Sequence, residues 1–217
     1  TRMEQLARDD MAFIRSSPSK GILGGVARHT RDAMMILEAA GFDVIIIETV
    51  GVGQSEVAVA EFVDMFLLLL SPGGGDELQG IKRGIMEIAD LVIINKADGD
   101  FKNAAVIAAA DCRNALHLMQ AKSPNWTVKV LQTSALENRG IEEIWDTIQS
   151  FKEIMIKSGE FEARRQQQNI SAIWSEVNTL LLDQIKGQNF DKIDALEQAV
   201  KNNKITPLEA AKELLNS

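Results

Sequence analysis

Polar residues that could do chemistry follow three short apolar runs, each at the point where the run ends. Glu48 comes directly after residues 44–47, Asn-Lys-Ala-Asp at 95–98 follows a second run, and Thr-Ser-Ala at 133–135 follows a third. Open α/β sheets bind ligands at the carboxyl ends of their parallel strands, so we expect all three loops at one edge of a sheet. The order of these signals along the chain carries more information than any one of them.

The second loop matches the Asn-Lys-x-Asp pattern that reads guanine. Asp98 is expected to accept from the N1 and exocyclic N2 hydrogens of guanine, which adenine cannot offer. Asn95 would support the loop and the base edge, and the stem of Lys96 would pack on the base face. Backbone amides of Ser134 and Ala135 would meet the guanine oxygen. The two loops, separated by one helix and one strand, predict a guanine-nucleotide site.

Glu48 and the glycines after it predict a second part of the same site. A carboxylate at the end of a strand can hold Mg²⁺ directly or through water. Gly51 and Gly53 would let backbone amides approach a phosphate. An ordinary turn after a strand is the alternative for this stretch, and the stretch alone leaves it open.

The elements that must position these loops alternate along residues 32–157. Apolar runs without alternation predict strands buried on both faces, and helical periodicities between them predict right-handed crossovers. The fold class is therefore α/β with a mostly parallel sheet. Strands are expected at 44–47, 65–70, 91–94 and 128–131, and helices at 1–14, 32–40, 55–63, 78–88, 104–122 and 141–157. A polar loop is expected at 21–30.

Strand patterns cease at about residue 159, which predicts an α/β domain at 1–157 and a helical extension at 158–217. Helices are expected at 161–185, 190–200 and 206–215. The first carries an apolar stripe typical of a partner surface. We expect this stripe to form a homodimer, although packing onto its own domain is the alternative. Its members are Ile170, Ile173, Trp174, Val177, Leu180 and Leu181.

Composition excludes several classes of protein. The net charge of −8 argues against a nucleic-acid surface. The most apolar run, at 65–70, is too short for a membrane span. The single Cys112 is expected to be a buried small residue in a reducing compartment. The histidines are too few for a histidine-rich metal store, and His117 is expected to be structural.

Over nearly its whole length the chain resembles the MeaB/MMAA/ArgK-type P-loop GTPases. The resemblance rests on Thr-Arg-Met at 1–3, Gly-Gly-Val at 24–26, the long blocks 48–56 and 74–84, and Trp145. It implies an incomplete P-loop GTPase domain with a helical extension. It also implies a GTP-hydrolysing chaperone that uses GTP/GDP and Mg²⁺, protects adenosylcobalamin-dependent methylmalonyl-CoA mutase and gates cobalamin delivery to it. The location would be the bacterial cytoplasm, or the mitochondrial matrix in a eukaryote.

The resemblance also implies roles for single residues. Glu48 would bind Mg²⁺ through water and act in catalysis together with Gln54 and Lys82. The glycine loop would sense the γ-phosphate, and a second switch loop containing Asp76 would move when the partner docks. Lys82 would then stabilise charge on the phosphates, as an arginine finger does.

The chain departs from the family in one large respect, because it contains no Gly-x-x-x-x-Gly-Lys-Ser/Thr. In the family this loop lies upstream of the position of Thr1, so the chain is expected to be a fragment. Alone, it should bind GTP weakly and hydrolyse it negligibly. The alternatives are a metallochaperone GTPase for nickel enzymes, the kinase role of the ArgK name, and a catalytically silent dimerisation and partner-binding module.

Overall fold

Three parallel strands form the sheet of the computed structural model, which describes residues 3–4, 6–16, 23–49, 55–72, 83–188 and 190–215. Within these residues the strand order is β1-β2-β3. In the register, Leu68 lies opposite Val92 and Val92 opposite Val130. The predicted α/β class with a parallel sheet is confirmed. The strands are β1 (Leu67–Leu70), β2 (Leu91–Ile94) and β3 (Lys129–Gln132).

Helices occupy most of the remaining described chain. Short 3₁₀ turns lie at Leu6–Arg8 and Gly99–Phe101. The helices are α1 (Leu23–Ala39), α2 (Ser55–Ala60), α3 (Arg83–Ile88), α4 (Lys102–His117), α5 (Ile141–Ser158), α6 (Glu160–Gln188), α7 (Phe190–Lys201) and α8 (Pro207–Leu215). No helix among the described residues is long and apolar enough to cross a membrane.

The core forms around β2, whose four side chains are all buried. A continuous apolar run of this kind is expected when a parallel strand is covered on both faces. Helix α4 packs on the sheet through a row of small buried residues, which lets the helix backbone approach closely. Cys112 belongs to this row, as predicted, and burial raises the pKa of its thiol. The row consists of Ala105, Ala108, Ala109 and Cys112.

A buried carboxylate at the amino-terminal ends of the strands accepts several hydrogen bonds. Asp90 is 2% exposed and precedes β2. Its oxygens accept from the Phe66 amide at 2.8 Å, from Lys122 Nζ at 3.0 Å and from both terminal nitrogens of Arg164 at 3.0 and 3.1 Å. Trp126 Nε1 donates to the Asp90 carbonyl oxygen at 2.7 Å. This cluster fastens the start of α6 to the sheet.

The described chain divides into two compact units, Thr1–Gln166 and Gln167–Ser217. The first turns of α6 belong to the first unit because Arg164 and Arg165 pair with its carboxylates. In the second unit, α7 and α8 pack together and bury Leu196 and Ala210.

The strand predicted at residues 44–47 is absent, and this expectation was wrong. The segment has no regular secondary structure and pairs with no described strand, and Ile46 is 88% exposed. β-Branched residues favour a strand only where a neighbouring strand completes the hydrogen bonds. No described strand pairs with this segment, so its β-branched residues do not form a strand despite their local preference.

Two expectations for the amino-terminal part were also wrong. The helix expected at 1–14 is reduced to the 3₁₀ turn Leu6–Arg8, and the loop expected at 21–30 is helical from Leu23 onward. A glycine costs a helix about 1 kcal/mol relative to alanine. Extending a formed helix is much easier than nucleating one. The strongly periodic 32–39 part therefore carries the helix back through the glycines.

Candidate nucleotide site

The second and third loops lie side by side at the carboxyl edge of the sheet, as predicted. The Asn95 amide donates to the Leu70 carbonyl of β1 at 2.8 Å. The Thr133 amide donates to the Ile94 carbonyl, and the Ala97 amide donates to the Thr133 carbonyl, both at 2.9 Å. These bonds continue the sheet ladder past the strand ends. The positions of both loops are therefore determined by the rigid core.

Side chains then join the two loops. The buried Ser134 hydroxyl donates to Asp98 Oδ2, and Asn95 Oδ1 accepts from the Ala135 amide at 3.3 Å. Asp98 is half-buried. Among the described residues its Oδ1 accepts no hydrogen bond, and each carboxylate oxygen has two lone pairs. The Asp98 carboxylate can therefore accept two adjacent donors from a ligand.

Lys96 takes a backbone conformation that favours glycine, with φ of +60°. Such conformations cost about 1–3 kcal/mol and persist where the surroundings impose them, often at ligand sites. Here the flanking amides of Asn95 and Ala97 are both held by the ladder. The Lys96 side chain is exposed and free to cover a planar ligand.

A tight turn closes the third loop. The backbones of Ser134 and Arg139 exchange two hydrogen bonds of 3.0 Å, and Thr133 Oγ1 donates to the Arg139 carbonyl at 2.6 Å. Gly140 follows with φ of +79°, and a Cβ there would lie 2.7 Å from the Gln132 carbonyl oxygen. Only glycine fits this position, which leads directly into α5.

The turn also occupies one of the amides expected to meet guanine. The Ser134 amide donates to the Arg139 carbonyl at 3.0 Å, so it is not available to a ligand. Among the residues that the structure describes, the Ala135 amide makes only the long bond to Asn95, and a guanine oxygen could replace that acceptor.

Arg139 is a functional candidate that sequence reasoning missed. Its guanidinium donates to the Ala97 carbonyl in the second loop, and its Nε donates to Glu137 Oε2 at 3.3 Å. The sequence indicates a turn at 138–140 but does not show which carbonyl, 42 residues away, the side chain would reach.

The residues expected to serve the phosphates and metal are described only in part. Glu48 is exposed and lies in the unpaired segment, so it does not end a strand of the described sheet. The described residues contain no group of three or more His, Cys, Asp or Glu able to hold a metal. The other predicted residues, Gly51, Gly53, Gln54, Asp76 and Lys82, lie outside the described residues.

A parallel sheet with polar loops at its carboxyl edge defines the class of open α/β domains that bind ligands at this edge. The sequence model of the family described as methylmalonyl Co-A mutase-associated GTPase MeaB matches residues 1–189. The chain belongs to this family.

Relatives of known sequence and structure support the same assignment. A putative GTPase of Caulobacter vibrioides is 51% identical over 99% of the chain, and the GTPase ArgK of Escherichia coli is 46% identical over 99%. The mitochondrial methylmalonic aciduria type A homolog of mouse is 47% identical over 100% of the chain. The chain spans 66%, 65% and 53% of these proteins, respectively.

A solved structure, described as a LAO/AO transport system kinase, has the same fold. It superposes with a TM-score of 0.75 at 42% identity, over 96% of this chain and 66% of that one. The likeness extends the assignment from sequence to the arrangement of the sheet and helices.

Proposed function

We propose that the full-length protein binds GTP and GDP through the two loops at the carboxyl edge of the sheet and hydrolyses GTP. The observation that carries this proposal is the joined pair of loops. Ser134 orients the Asp98 carboxylate, and Asn95 ties its own loop to the Ala135 amide. Membership of a family of GTPases supports the hydrolytic step.

Selectivity for guanine follows from the chemistry of Asp98. Guanine presents two neighbouring N–H donors at N1 and N2, and a carboxylate accepts both. Adenine presents an acceptor and a C–H in the same places, so the carboxylate would stay unpaired. An unpaired buried polar group costs about 1–3 kcal/mol, and more when it is charged. Such a loss reduces the affinity for adenine nucleotides by a factor of about 10² or more.

Magnesium is the metal that this function implies, and Glu48 is its proposed ligand in the described chain. Its side chain is exposed and makes no hydrogen bond or ion pair with another described residue. Mg²⁺ is commonly held by one or two carboxylates together with water and the phosphates of the substrate, so one free carboxylate fits. The bound ion would neutralise charge on the phosphates. Catalytic roles for Gln54 and Lys82, and switch roles for Gly51, Gly53 and Asp76, remain part of the proposal.

Substitution of Asp98 tests the guanine assignment. Asp98→Asn replaces one acceptor with a donor, which suits the carbonyl at C2 of xanthine. We expect GDP affinity to fall about 100-fold and XDP affinity to rise above it. Isothermal titration of the full-length protein with GDP, XDP and ADP measures both changes.

The matched control is Asp100→Asn, an exposed carboxylate two residues further along the chain. It removes the same charge from the neighbourhood and should leave all three affinities unchanged. Unaltered GDP affinity in Asp98→Asn would contradict the guanine assignment. No binding of any guanine nucleotide by the unmodified protein would instead favour a partner-binding module.

The proposed partner is adenosylcobalamin-dependent methylmalonyl-CoA mutase. The family description and the name of the mouse relative both point to methylmalonyl metabolism. The protein would act as a chaperone that gates cobalamin delivery and protects the mutase, in the bacterial cytoplasm or the mitochondrial matrix. The purified mutase should accelerate GTP turnover, measured as phosphate release. No change in turnover together with no complex in gel filtration would contradict the partnership.

We propose that the apolar side chains of α6 form a homodimer. Ile173 and Trp174 are 59% and 67% exposed, and Ile170 and Leu181 continue the stripe at helical spacing. Trp174→Asp should convert a dimer to a monomer in light scattering, because a charge would be buried without a partner. The matched control is Val106→Asp, a 56% exposed apolar residue of the first unit. A monomeric unmodified protein would exclude the dimer.

A further inference from the structure

One arginine side chain crosses between the two loops of the candidate site. The Arg139 guanidinium donates to the carbonyl of Ala97, a residue that is 2% exposed. Ala97 stands immediately before Asp98. Arg139 therefore acts on the backbone that carries the guanine-reading carboxylate.

Because the peptide bond is planar, this contact fixes the orientation of the Ala97–Asp98 peptide group. The Ala97 carbonyl and the Asp98 amide belong to one rigid planar group. Holding the carbonyl oxygen determines the orientation of the plane from which Asp98 begins. The Ser134 hydroxyl then holds the far end of the same side chain at Oδ2. Asp98 is thus held at its backbone by Arg139 and at its carboxylate by Ser134.

The Arg139 side chain is not needed to close its own loop. Both hydrogen bonds with Ser134 and the bond from Thr133 Oγ1 use the Arg139 backbone, and substitution keeps them. The side chain itself is 48% exposed, and its ion pair with Glu137 lies at the surface. Surface ion pairs contribute little to stability. Substitution of the side chain therefore removes mainly its hydrogen bond to the Ala97 carbonyl.

We infer that Arg139 is a positioning residue that sets guanine selectivity by orienting the Ala97–Asp98 peptide. The inference rests on the proposed function, because it assigns Arg139 to the site in which Asp98 reads the base. It predicts that a displaced Asp98 carboxylate costs GDP more affinity than IDP, because with guanine it loses both N1–H and the exocyclic N2 group. Inosine nucleotides lack this group and retain N1–H, so they report on the loss separately.

The experiment compares GDP and IDP affinities of the full-length protein by isothermal titration. Arg139→Met keeps an unbranched apolar stem but removes every side-chain donor. We expect its GDP affinity to fall about tenfold and its IDP affinity about threefold or less, so that the preference for GDP shrinks. Arg139→Lys keeps one donor within reach of Ala97 and should restore most of the preference.

Glu137→Gln is the matched control. It removes the ion pair with Arg139 but leaves the bond to Ala97 and the Glu137 amide, which donates to Ser134 Oγ at 3.0 Å. Both affinities should stay unchanged. If this variant reproduced the effect of Arg139→Met, the charge of the pair rather than the crossing would be responsible, and the inference would be wrong.

The remaining outcomes separate this inference from the proposed function. An unmodified protein that shows no preference for GDP over IDP overturns the proposed function and the inference with it. A normal preference that Arg139→Met leaves intact overturns the inference alone. Equal losses for GDP and IDP indicate general loosening of the loop and also overturn it. If Arg139→Met does not fold, Arg139→Lys and Arg139→Gln, which differ in their reach to Ala97, provide the same comparison.

Discussion

In the buried cluster at the amino edge of the sheet, Asp90 pairs with two cations. We expect Asp90→Asn to destabilise the first unit strongly. The change preserves volume, but it removes the negative charge that faces Lys122 and Arg164. The new amide nitrogen would also point at least one donor towards cationic donors. The Phe66 amide can keep its acceptor, so the loss arises mainly from the two cations.

The loss of unfolding free energy depends on how deeply the two partners of each ion pair are buried. Removing one partner of a buried pair costs about 3–5 kcal/mol. The Asp90 side chain is 3% exposed, whereas Lys122 and Arg164 are 33% and 20% exposed and can regain some water. We therefore expect the low end, about 3 kcal/mol. For a chain of this size, that corresponds to a decrease in Tm of about 6–12 °C.

Urea unfolding at pH 7, followed by far-ultraviolet circular dichroism, measures the loss. Asp146→Asn is the control, an exposed carboxylate on α5 with no ion pair among the described residues. In a double-mutant cycle, Arg164→Met should cost about 1–3 kcal/mol less in the Asp90→Asn background than in the unmodified protein. A loss below about 1 kcal/mol, or a cycle with no coupling, would refute the reasoning.

Two further predictions concern a glycine turn and a helix cap. Gly140→Ala should lower the free energy of unfolding by about 2 kcal/mol or more, because φ of +79° is strained for alanine and its Cβ would clash with the Gln132 carbonyl. Gly159→Ala, at φ of +78° with open space around the Cβ, should cost only the strain of the backbone conformation in the same urea assay. Equal losses in the two variants would contradict the clash. At the start of α8, the Thr206 amide donates to Glu209 at 2.8 Å and lowers the pKa of that carboxyl. A lowered folded-state pKa means that the cap stabilises above the unfolded-state value of about 4.3 and is lost as pH falls through the folded value. The protection factors of the α8 amides, corrected for the intrinsic pH dependence of exchange, should therefore fall in acid. Glu209→Gln should abolish that fall, and an unchanged fall would exclude the carboxyl.

Local sequence signals predicted the central strand and the carboxyl-edge loops well. The strand at Leu91–Ile94 has the predicted bounds, and a short run of large apolar residues fits a strand buried on both faces. The helix expected at 206–215 is also present and begins at Pro207, and its cap contacts lie within three residues of one another. Asn95, Asp98, Ser134 and Ala135 were expected at one edge, and the structure brings them together.

Long-range contacts were not predictable in the same way. Arg164 reaches Asp90 across 74 residues, and Arg139 reaches Ala97 across 42. An arginine pairs with whichever acceptor the fold brings within its reach, and its own neighbours in sequence do not specify that acceptor. Residues 44–47 illustrate the same point for a strand. Their β-branched sequence favours a strand, but the segment pairs with no strand among the described residues.

The amino-acid sequence alone predicted the two loops that we propose read guanine, the run that forms the central strand and where several helices begin or end. These properties depend on side-chain type and on interactions across a few positions. Only the tertiary structure decided which carbonyl Arg139 holds, which cations neutralise Asp90 and whether a β-branched segment becomes a strand. Each of these outcomes requires a partner that is distant in the chain, and the packing of the whole sheet and its helices determines which partner that is.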